Sequence, residues 1–541
     1  MNNKTTPREF GIDHDNWRPG QWESVDYILN SPYRIIGLNA PTGSGKTAVA
    51  SAIGHNDGVT AVTFTKQLQQ QYMGGYHFQT LYGRGNYECT YHSTVGGLLA
   101  EMDIPVMTAD GCTFQFPASC PSYNVCPYFV AKNNSIKSNH VVLNYAYYSQ
   151  ILKSSTNVVS SSDRRFVYLD ECHNIPALLM SITEMTYNAA QLSKEGLPMW
   201  DARVMRVPSQ SVRKSKSREW LNACSAALQD QFNRLSSSDP IEAKKASRIQ
   251  AKQGRFNLIA IDLAQNPDDY YIQVDEQDGI PVLKIHPLTA YGRFNKYLSA
   301  DTEAYDPQYI FTSATIGNER TFFENILGIN DYDWRTVESN FTPEQMPVYI
   351  RTDAPKINFK SPESAKQKRA EIMAEMIKLV DGSGIIHTSS FADARDISYR
   401  LGRILGNKRV MTSNEKLDTI GKVNEFEEAK KRQPNMIMVS PSMWEGYDGR
   451  DDVFSIIAKV PFGMLDESGK ARMERNKTAY LWSAATLVEQ AAGRVRRGDA
   501  EHYEKPGTKN NPNRLVVIVD NNYAKIKSQF SSHFSSCMKR W

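Results

Sequence analysis

Ala40-Pro41-Thr42-Gly43-Ser44-Gly45-Lys46-Thr47 is the stretch that decides the fold. The apolar run Ile35-Ile36-Gly37-Leu38 precedes it and Ala48-Val49-Ala50-Ser51-Ala52-Ile53 follows, a pattern of buried strand, glycine-rich loop and buried helix. Glycines in such a loop let backbone N–H groups close around phosphates at a helix N-terminus, where the helix dipole favours anions. Lys46 would reach the β- and γ-phosphates, and the Thr47 hydroxyl would bind Mg²⁺. The first motif position is Ala40 rather than glycine. A chance Gly-Ser-Gly-Lys-Thr in a surface turn would lack the flanking strand and helix.

A phosphate loop needs a partner strand that ends in carboxylates. Arg165-Phe166-Val167-Tyr168-Leu169 runs into Asp170-Glu171-Cys172-His173, with Asp170 standing 123 residues after Thr47. Asp170 would hold Mg²⁺, mostly through water, and Glu171 would orient and deprotonate the attacking water. Upstream, Gln21 opens a helical pattern about 25 residues before the loop and could read an adenine edge with its amide; a surface glutamine is the alternative. The strand Thr60-Ala61-Val62-Thr63-Phe64 ends in Thr65-Lys66, at the carboxyl end where open α/β sheets place ligands. The same two residues could instead begin a solvated helix.

The chain of 541 residues is too long for one core, so several domains are expected. Hydrophobic content of 40% and charged content of 23% describe an ordinary globular composition. A net charge of +4 with pI about 8.4 permits a nucleic-acid partner without demanding one. Met1 to Asn16 is polar and offers no apolar core of a secretory signal, and no run of about 18 apolar residues spans a membrane. The expected setting is therefore cytoplasmic, or associated with the nucleoid or nucleus.

Four of the seven cysteines, Cys89, Cys112, Cys120 and Cys126, fall together with 22, 7 and 5 residues between successive ones. Zinc knuckles use paired Cys-x₂₋₄-Cys spacings, and none occurs here. Four thiolates on a loop-rich insert suit an iron–sulfur cluster better; zinc and unrelated thiols are the alternatives.

Asp170-Glu171-Cys172-His173 is a variant of the Asp-Glu-Ala-His box, so the chain resembles a superfamily 2 helicase. Gly83-Arg84-Gly85-Asn86-Tyr87-x-Cys89 and Cys126-Pro127-Tyr128-Phe129-x-Ala131-Lys132 resemble the cluster-flanking segments of the iron–sulfur helicases, the DinG and XPD-type enzymes. Asn144-Tyr145-Ala146-Tyr147 resembles their sequence ahead of the acidic box. The resemblance raises a [4Fe–4S] cluster above zinc. It also implies an arch domain after the acidic box. Between Arg203 and Arg255 there are twelve Lys/Arg against four Asp/Glu, a patch that could help enclose a strand or could be a solvated helical surface.

The sheet pattern resumes at Tyr309-Ile310-Phe311, followed by Thr312-Ser313-Ala314-Thr315, which matches the family's Ser-Ala-Thr motif. A second α/β unit starts near residue 346, with strands around Ile385, Ile437, Ile456 and Val517. Thr388-Ser389 ends the first of these as a candidate phosphate-contacting turn. Trp444-Glu445-Gly446-Tyr447-Asp448 resembles the family's Glu-Gly-x-Asp motif, with Asp448 facing the nucleotide or coupling it to the strand. Gln490-Ala491-Ala492-Gly493-Arg494-Val495-Arg496-Arg497 matches the family's arginine-finger helix, in which Arg494 and Arg497 would share a helix face and clamp the γ-phosphate. Such a finger is worth on the order of 10³–10⁵ in turnover.

The expected architecture is α/β: two RecA-like phosphate-loop lobes, the first interrupted by a four-cysteine insert and by a helical, arch-like insert. The expected divisions are lobe 1 at 1–85, 133–185 and 269–345, the cysteine insert at 86–132, the arch-like insert at 186–268 and lobe 2 at 346–541. The resemblance implies a monomeric, ATP- and Mg²⁺-dependent helicase on single-stranded or forked DNA, moving 5′→3′. Thr65, Lys66, Thr312, Ser313, Thr388 and Ser389 are its candidate nucleic-acid contacts. The alternatives are a nucleic-acid-stimulated ATPase or RNA translocase without unwinding, a non-hydrolysing scaffold, and a metabolic phosphoryl-transfer enzyme.

Overall fold

The computed structural model describes the chain apart from residues 1–4, 42, 92–107, 113–118, 153–163, 236–239, 300–304, 339–341, 345–346, 359, 445–451 and 496–513. The first lobe begins with β1 (Ile35–Asn39), the phosphate loop and the helix Lys46–Asp57. It continues through β2 (Val59–Thr63), β3 (Gln79–Thr80), β4 (His140–Asn144) and β5 (Phe166–Asp170). The chain then leaves through β6 (Met185–Asn188), β7 (Tyr270–Gln277) and β8 (Ile280–Pro287), and returns with β9 (Gln308–Ser313) and β10 (Asp333–Thr336). The lobe 1 sheet has the order β10-β1-β9-β5-β2-β4-β3 and is parallel throughout.

Both faces of this sheet are covered, which is why its strands read as near-continuous apolar runs. Val167, Leu169, Tyr309 and Phe311 pack on one side, and Phe166, Tyr168 and Ile310 on the other, at the two-residue period of a strand. Truncating a fully buried ring such as Phe311 to alanine would cost about 3–5 kcal/mol. Register then fixes the site. Asn39 lies beside Ser313, and Asp170 beside Thr312, so the ends of β1, β9 and β5 form one rim.

The segment from β6 to β8 departs from the expected divisions. β7 and β8, expected within lobe 1, pair antiparallel and join β6 in a separate sheet of order β6-β8-β7. This sheet shares a core with the long helices Gln210–Asn233 and Pro240–Gln265, through Trp220, Leu221, Phe256 and Ile259. The inserted unit is therefore mixed rather than helical. Its hairpin turns on Asp278-Gly279, both with positive φ (51° and 76°), a dipeptide suited to a tight two-residue turn. Part of the basic segment is also structural: Arg213 donates to the carbonyls of Val207 (2.6 Å) and Ile272 (3.1 Å), and Arg255 to that of Glu184 (2.8 Å).

Lobe 2 contains β11 (Val348–Ile350), β12 (Gly384–His387), β13 (Val410–Thr412), β14 (Ile437–Ser440), β15 (Phe454–Ile457), β16 (Leu515–Ile518) and β17 (Met538–Arg540). Its order is β13-β14-β12-β15-β16-β11-β17, again parallel. Trp482, on the helix Lys477–Gly493, joins the lobes: its indole N–H donates to the Ile316 carbonyl (2.8 Å) and its ring packs on Phe322. Gly317 permits this approach. A Cβ there would meet the Gln529 carbonyl oxygen at 2.7 Å, and its φ is +71°. The inserted unit meets lobe 2 through polar groups, Arg475 with Asp269 (2.7 Å), Arg472 with Glu184 (3.2 Å) and Tyr271 with Glu467 (2.9 Å). Among the described residues no helix is long and apolar enough to cross a membrane.

The same lobe 2 helix carries a buried acid, Glu489, whose Oε1 accepts from the Ser531 backbone N–H (2.6 Å). Burial pushes its carboxyl up to about 8, against the opposing bond from Ser531. A carboxyl raised on folding stabilises most below its unfolded pKa, and that contribution is lost as pH rises through about 8. Glu489→Gln keeps the acceptor and removes the charge. Denaturant unfolding at pH 5 and pH 9 is expected to show wild-type stability falling by a few kcal/mol more than that of the variant, on the order of one pKa unit per 1.36 kcal/mol.

Candidate nucleotide site and the relay between the lobes

The phosphate loop leaves β1 with the Ala40 N–H donating to the Ser313 carbonyl (3.0 Å), and turns so that the Ser44 N–H meets the Pro41 carbonyl (3.1 Å). Gly43 and Gly45 take φ of +84° and +78°. At Gly45 a side chain is excluded twice, by conformation and because a Cβ would lie 1.9 Å from Gln21 Nε2. Gln21 is buried and its amide is engaged at both ends: Nε2 donates to the Gly45 carbonyl (3.3 Å) and Oε1 accepts from the Arg18 N–H (2.7 Å). It therefore braces the loop in this structure rather than presenting a free amide to a base. Arg18, unassigned from the sequence, adds a bond to the Gly43 carbonyl (2.7 Å).

Lys46 opens the helix behind Gly45, and Thr47 lies in its first turn. The Ser44 hydroxyl, between the positive-φ Gly43 and Gly45, is buried with no hydrogen-bond partner among the described residues. That set of groups fits a nucleotide phosphate, and the adjacent carboxylates fit Mg²⁺. Thr42, Asp448 and Arg497 lie outside the described residues.

Asp170 and Glu171 end β5 in different environments. Asp170 is buried; Tyr72 donates to its Oδ2 (3.1 Å) and the Glu171 N–H to its Oδ1 (3.0 Å). Burial first, and then the adjacent Glu171 charge, raise its carboxyl to about 6. Burial also opposes the Glu171 charge, but Lys46, His173 and Arg494 outweigh it and hold that carboxyl below its usual range. Glu171 sits at φ +52°, an unusual value for a residue with a side chain, which swings its carboxylate off the strand line. The two adjacent carboxyls are thus set apart, Asp170 the more readily protonated and Glu171 the more readily ionised.

From Glu171 a chain of polar groups leads to lobe 2. Ser313 Oγ donates to Glu171 Oε2 (3.2 Å), and His173 Nδ1 lies 2.8 Å from the same hydroxyl. On the far side of the ring, Asn174 Nδ2 (2.9 Å) and Gln490 Nε2 both approach His173 Nε2. With these amides as donors, Nε2 is the acceptor and the imidazole proton sits on Nδ1. Acidic box, Ser-Ala-Thr segment and finger helix are thereby linked by hydrogen bonds. The role of His173 needed tertiary structure, because nothing in its local sequence points at Gln490.

Arg494 stands just past this helix, which ends at Gly493, and its Nε donates to the Trp444 carbonyl (3.3 Å). Of the candidate nucleic-acid contacts, Thr65, Lys66 and Ser389 are exposed, with Thr65 capping the helix Lys66–Tyr76 and Lys66 bonded to Asn86. Thr312, Ser313 and Thr388 are fully buried, so they do not offer a surface to a strand. Ser313 belongs to the relay, and Thr388 donates to Asp393, the partner of the buried Arg369.

None of the four cysteines is in a disulfide, and together they line one small cavity, walled by Arg84, Ala109, Tyr123, Tyr128 and Phe129. Burial, and the proximity of Cys112, Cys89 and Cys126, raise the Cys120 thiol. Among the described residues no group of three or more His, Cys, Asp or Glu side chains is arranged to hold a metal ion.

Two family models match the chain, DEAD_2 over residues 59–192 and a helicase C-terminal domain over residues 373–536, together more than half its length. The ATP-dependent DNA helicase YoaA of Haemophilus influenzae is 30% identical over 198 residues, 36% of this chain; the chain spans 29% of the length of that relative. Among solved structures, an XPD helicase superposes with a TM-score of 0.53 at 14% identity, covering 96% of this chain and 98% of the other. Xpd4 of S. tokodaii gives 0.52 at 13% identity, covering 96% and 99%. A two-lobed α/β fold with a phosphate loop, an acidic box and a glutamine relay between the lobes defines a helicase-type NTPase. The chain belongs to the superfamily 2 helicases of the DinG/XPD-like group.

Removing one member of the buried relay leaves its neighbour unsatisfied, at about 1–3 kcal/mol. Gln490→Ala and His173→Ala are each expected to lower kcat for ATP on the order of tenfold, with KM little changed. The double variant should fall no further than the worse single one. Steady-state kinetics on the four chains checks both points.

Proposed function

We propose that the chain is an ATP-dependent DNA helicase that moves 5′→3′ along single-stranded DNA and separates duplexes at a fork. The observation that carries this reading is the relay from Glu171 through Ser313 and His173 to Gln490. A base that hydrolyses ATP is wired to the opposite lobe, so its state bears on lobe closure. The likeness to the helicase YoaA supports DNA as substrate, and the polarity follows from the family resemblance. Binding would rest on backbone phosphates, with Thr65, Lys66 and Ser389 on the exposed strand ends.

In this reading Lys46 and the loop N–H groups hold the β- and γ-phosphates, and Thr47 and Asp170 hold Mg²⁺, which draws charge off the γ-phosphate when bound. Glu171 takes the proton of the attacking water. Arg494, with Arg497 and Asp448, would be lobe 2's contribution to holding the γ-phosphate. Cys89, Cys112, Cys120 and Cys126 hold a [4Fe–4S] cluster; their shared cavity supports this assignment. The inserted unit from Met185 to Pro287 serves as the arch.

Glu171→Gln is expected to retain ATP and DNA binding and to lose turnover by at least about 10²-fold. Wild-type turnover should rise with single-stranded DNA, and a 5′-tailed duplex should be displaced where a 3′-tailed one is not. Turnover indifferent to DNA would refute the translocase reading. Anaerobically purified protein should be brown, with about four irons per chain, and Cys120→Ser should lose that colour; a colourless wild type would refute the cluster alone.

A further inference from the structure

We propose that lobe 2 carries a second phosphate-binding site, apart from the nucleotide, in the pocket lined by Tyr523, Lys527, Ser528, Ser535, Lys539 and Arg540. Ile350 and Met538 complete a cavity of about 390 Å³. Three cations and three hydroxyl groups line it, and no carboxylate side chain does. Some basic side chains elsewhere on the surface have acidic partners, as in Lys431 with Glu428 (2.6 Å), Lys366 with Glu363 (2.8 Å) and Arg395 with Glu415 (3.4 Å). Among the described residues Lys527, Lys539 and Arg540 have none.

Like charges gathered in one concavity repel one another, and a bound anion relieves that repulsion. Guanidinium and ammonium donors beside serine and tyrosine hydroxyls suit a tetrahedral phosphate oxygen set, with the planar arginine fork able to take two oxygens. The pocket lies at the edge strand β17, four strands from β12 and its Thr388-Ser389 turn, on the order of 19 Å at the usual strand spacing. It is therefore off the surface assigned above to the translocating strand.

The pocket also touches the joint between the lobes. Lys527 and Ser528 belong to the short helix Lys527–Gln529, and the Gln529 carbonyl accepts from the Asn318 N–H of lobe 1 (3.2 Å). A phosphate held there would be felt where Gly317 and Trp482 meet. The phosphate could belong to a nucleic-acid backbone beyond the translocating strand, or to a free phosphate or nucleotide.

The test uses the full chain carrying Lys46→Ala, so that the phosphate loop does not contribute, with and without Lys527→Ala, Lys539→Ala and Arg540→Ala. Inorganic phosphate should raise the Tm of the first chain and not that of the second. Oligo-dT binding, followed by anisotropy across a salt series, identifies the source. Loss of about two from the slope of log K against log salt, at about 0.7 per single-strand phosphate contact, assigns the pocket to nucleic acid. An unchanged slope with a lost phosphate effect assigns it to a free phosphate group. If neither readout differs between the chains, the proposal is overturned. Absence of DNA binding by both chains would count against the helicase reading, and the phosphate arm would still decide the pocket. Should the triple replacement fail to fold, Lys539→Gln in the same background gives the same comparison at reduced size.

Discussion

Three adjacent parallel strands hold this molecule to its purpose. Because β1, β9 and β5 are hydrogen-bonded in register, Asn39 stands beside Ser313 and Asp170 beside Thr312. The phosphate loop, the Ser-Ala-Thr segment and the acidic pair must then emerge on one rim. A slip of one residue in β9 would turn Ser313 to the opposite face and disconnect Glu171 from His173. Both faces of the sheet are buried, so such a slip would also misplace Phe311 and Tyr309, and packing enforces the register that the chemistry needs.

On that rim, low polarity separates two neighbouring carboxylates that are equivalent in sequence. Burial and the neighbouring Glu171 charge disfavour the ionised form of Asp170, against the bonds it accepts from Tyr72 and the Glu171 N–H. Glu171 turns away through a left-handed backbone step towards Lys46, Arg494 and His173, which favour its ionised form. Environment, rather than residue type, sets the two carboxyls apart.

Among the described residues the lobes meet through an apolar contact and through several hydrogen bonds. Trp482 and Phe322 give a packed contact that fixes how closely the lobes approach, and Gly317 is small because that approach leaves no room. The bond of Gln490 to His173 is directional and sensitive to small shifts. A packed hinge beside a directional contact can register the state of the nucleotide as lobe movement. The inserted unit meets lobe 2 through polar contacts such as Arg475 with Asp269 and Tyr271 with Glu467, which exchange readily with water.

The local sequence was enough to mark the phosphate loop, the acidic pair and most of the parallel strands, because each is a short pattern whose chemistry depends on adjacent residues, whereas the helix expected to carry Arg494 and Arg497 ends at Gly493. The Asp278-Gly279 turn is equally local, and it pairs β7 with β8 in a sheet apart from that of lobe 1. What only the tertiary structure decided depends on residues far apart in the chain. It turned Gln21 inwards as a brace for Gly45, and buried Thr312, Ser313 and Thr388 although hydroxyls at strand ends read as surface contacts. It brought His173 to Gln490 and gathered Lys527, Lys539 and Arg540 around one pocket. A motif specifies what a residue is able to do. Which neighbour it meets is set by strand order and lobe docking, and those follow from burying the apolar faces of the whole chain at once.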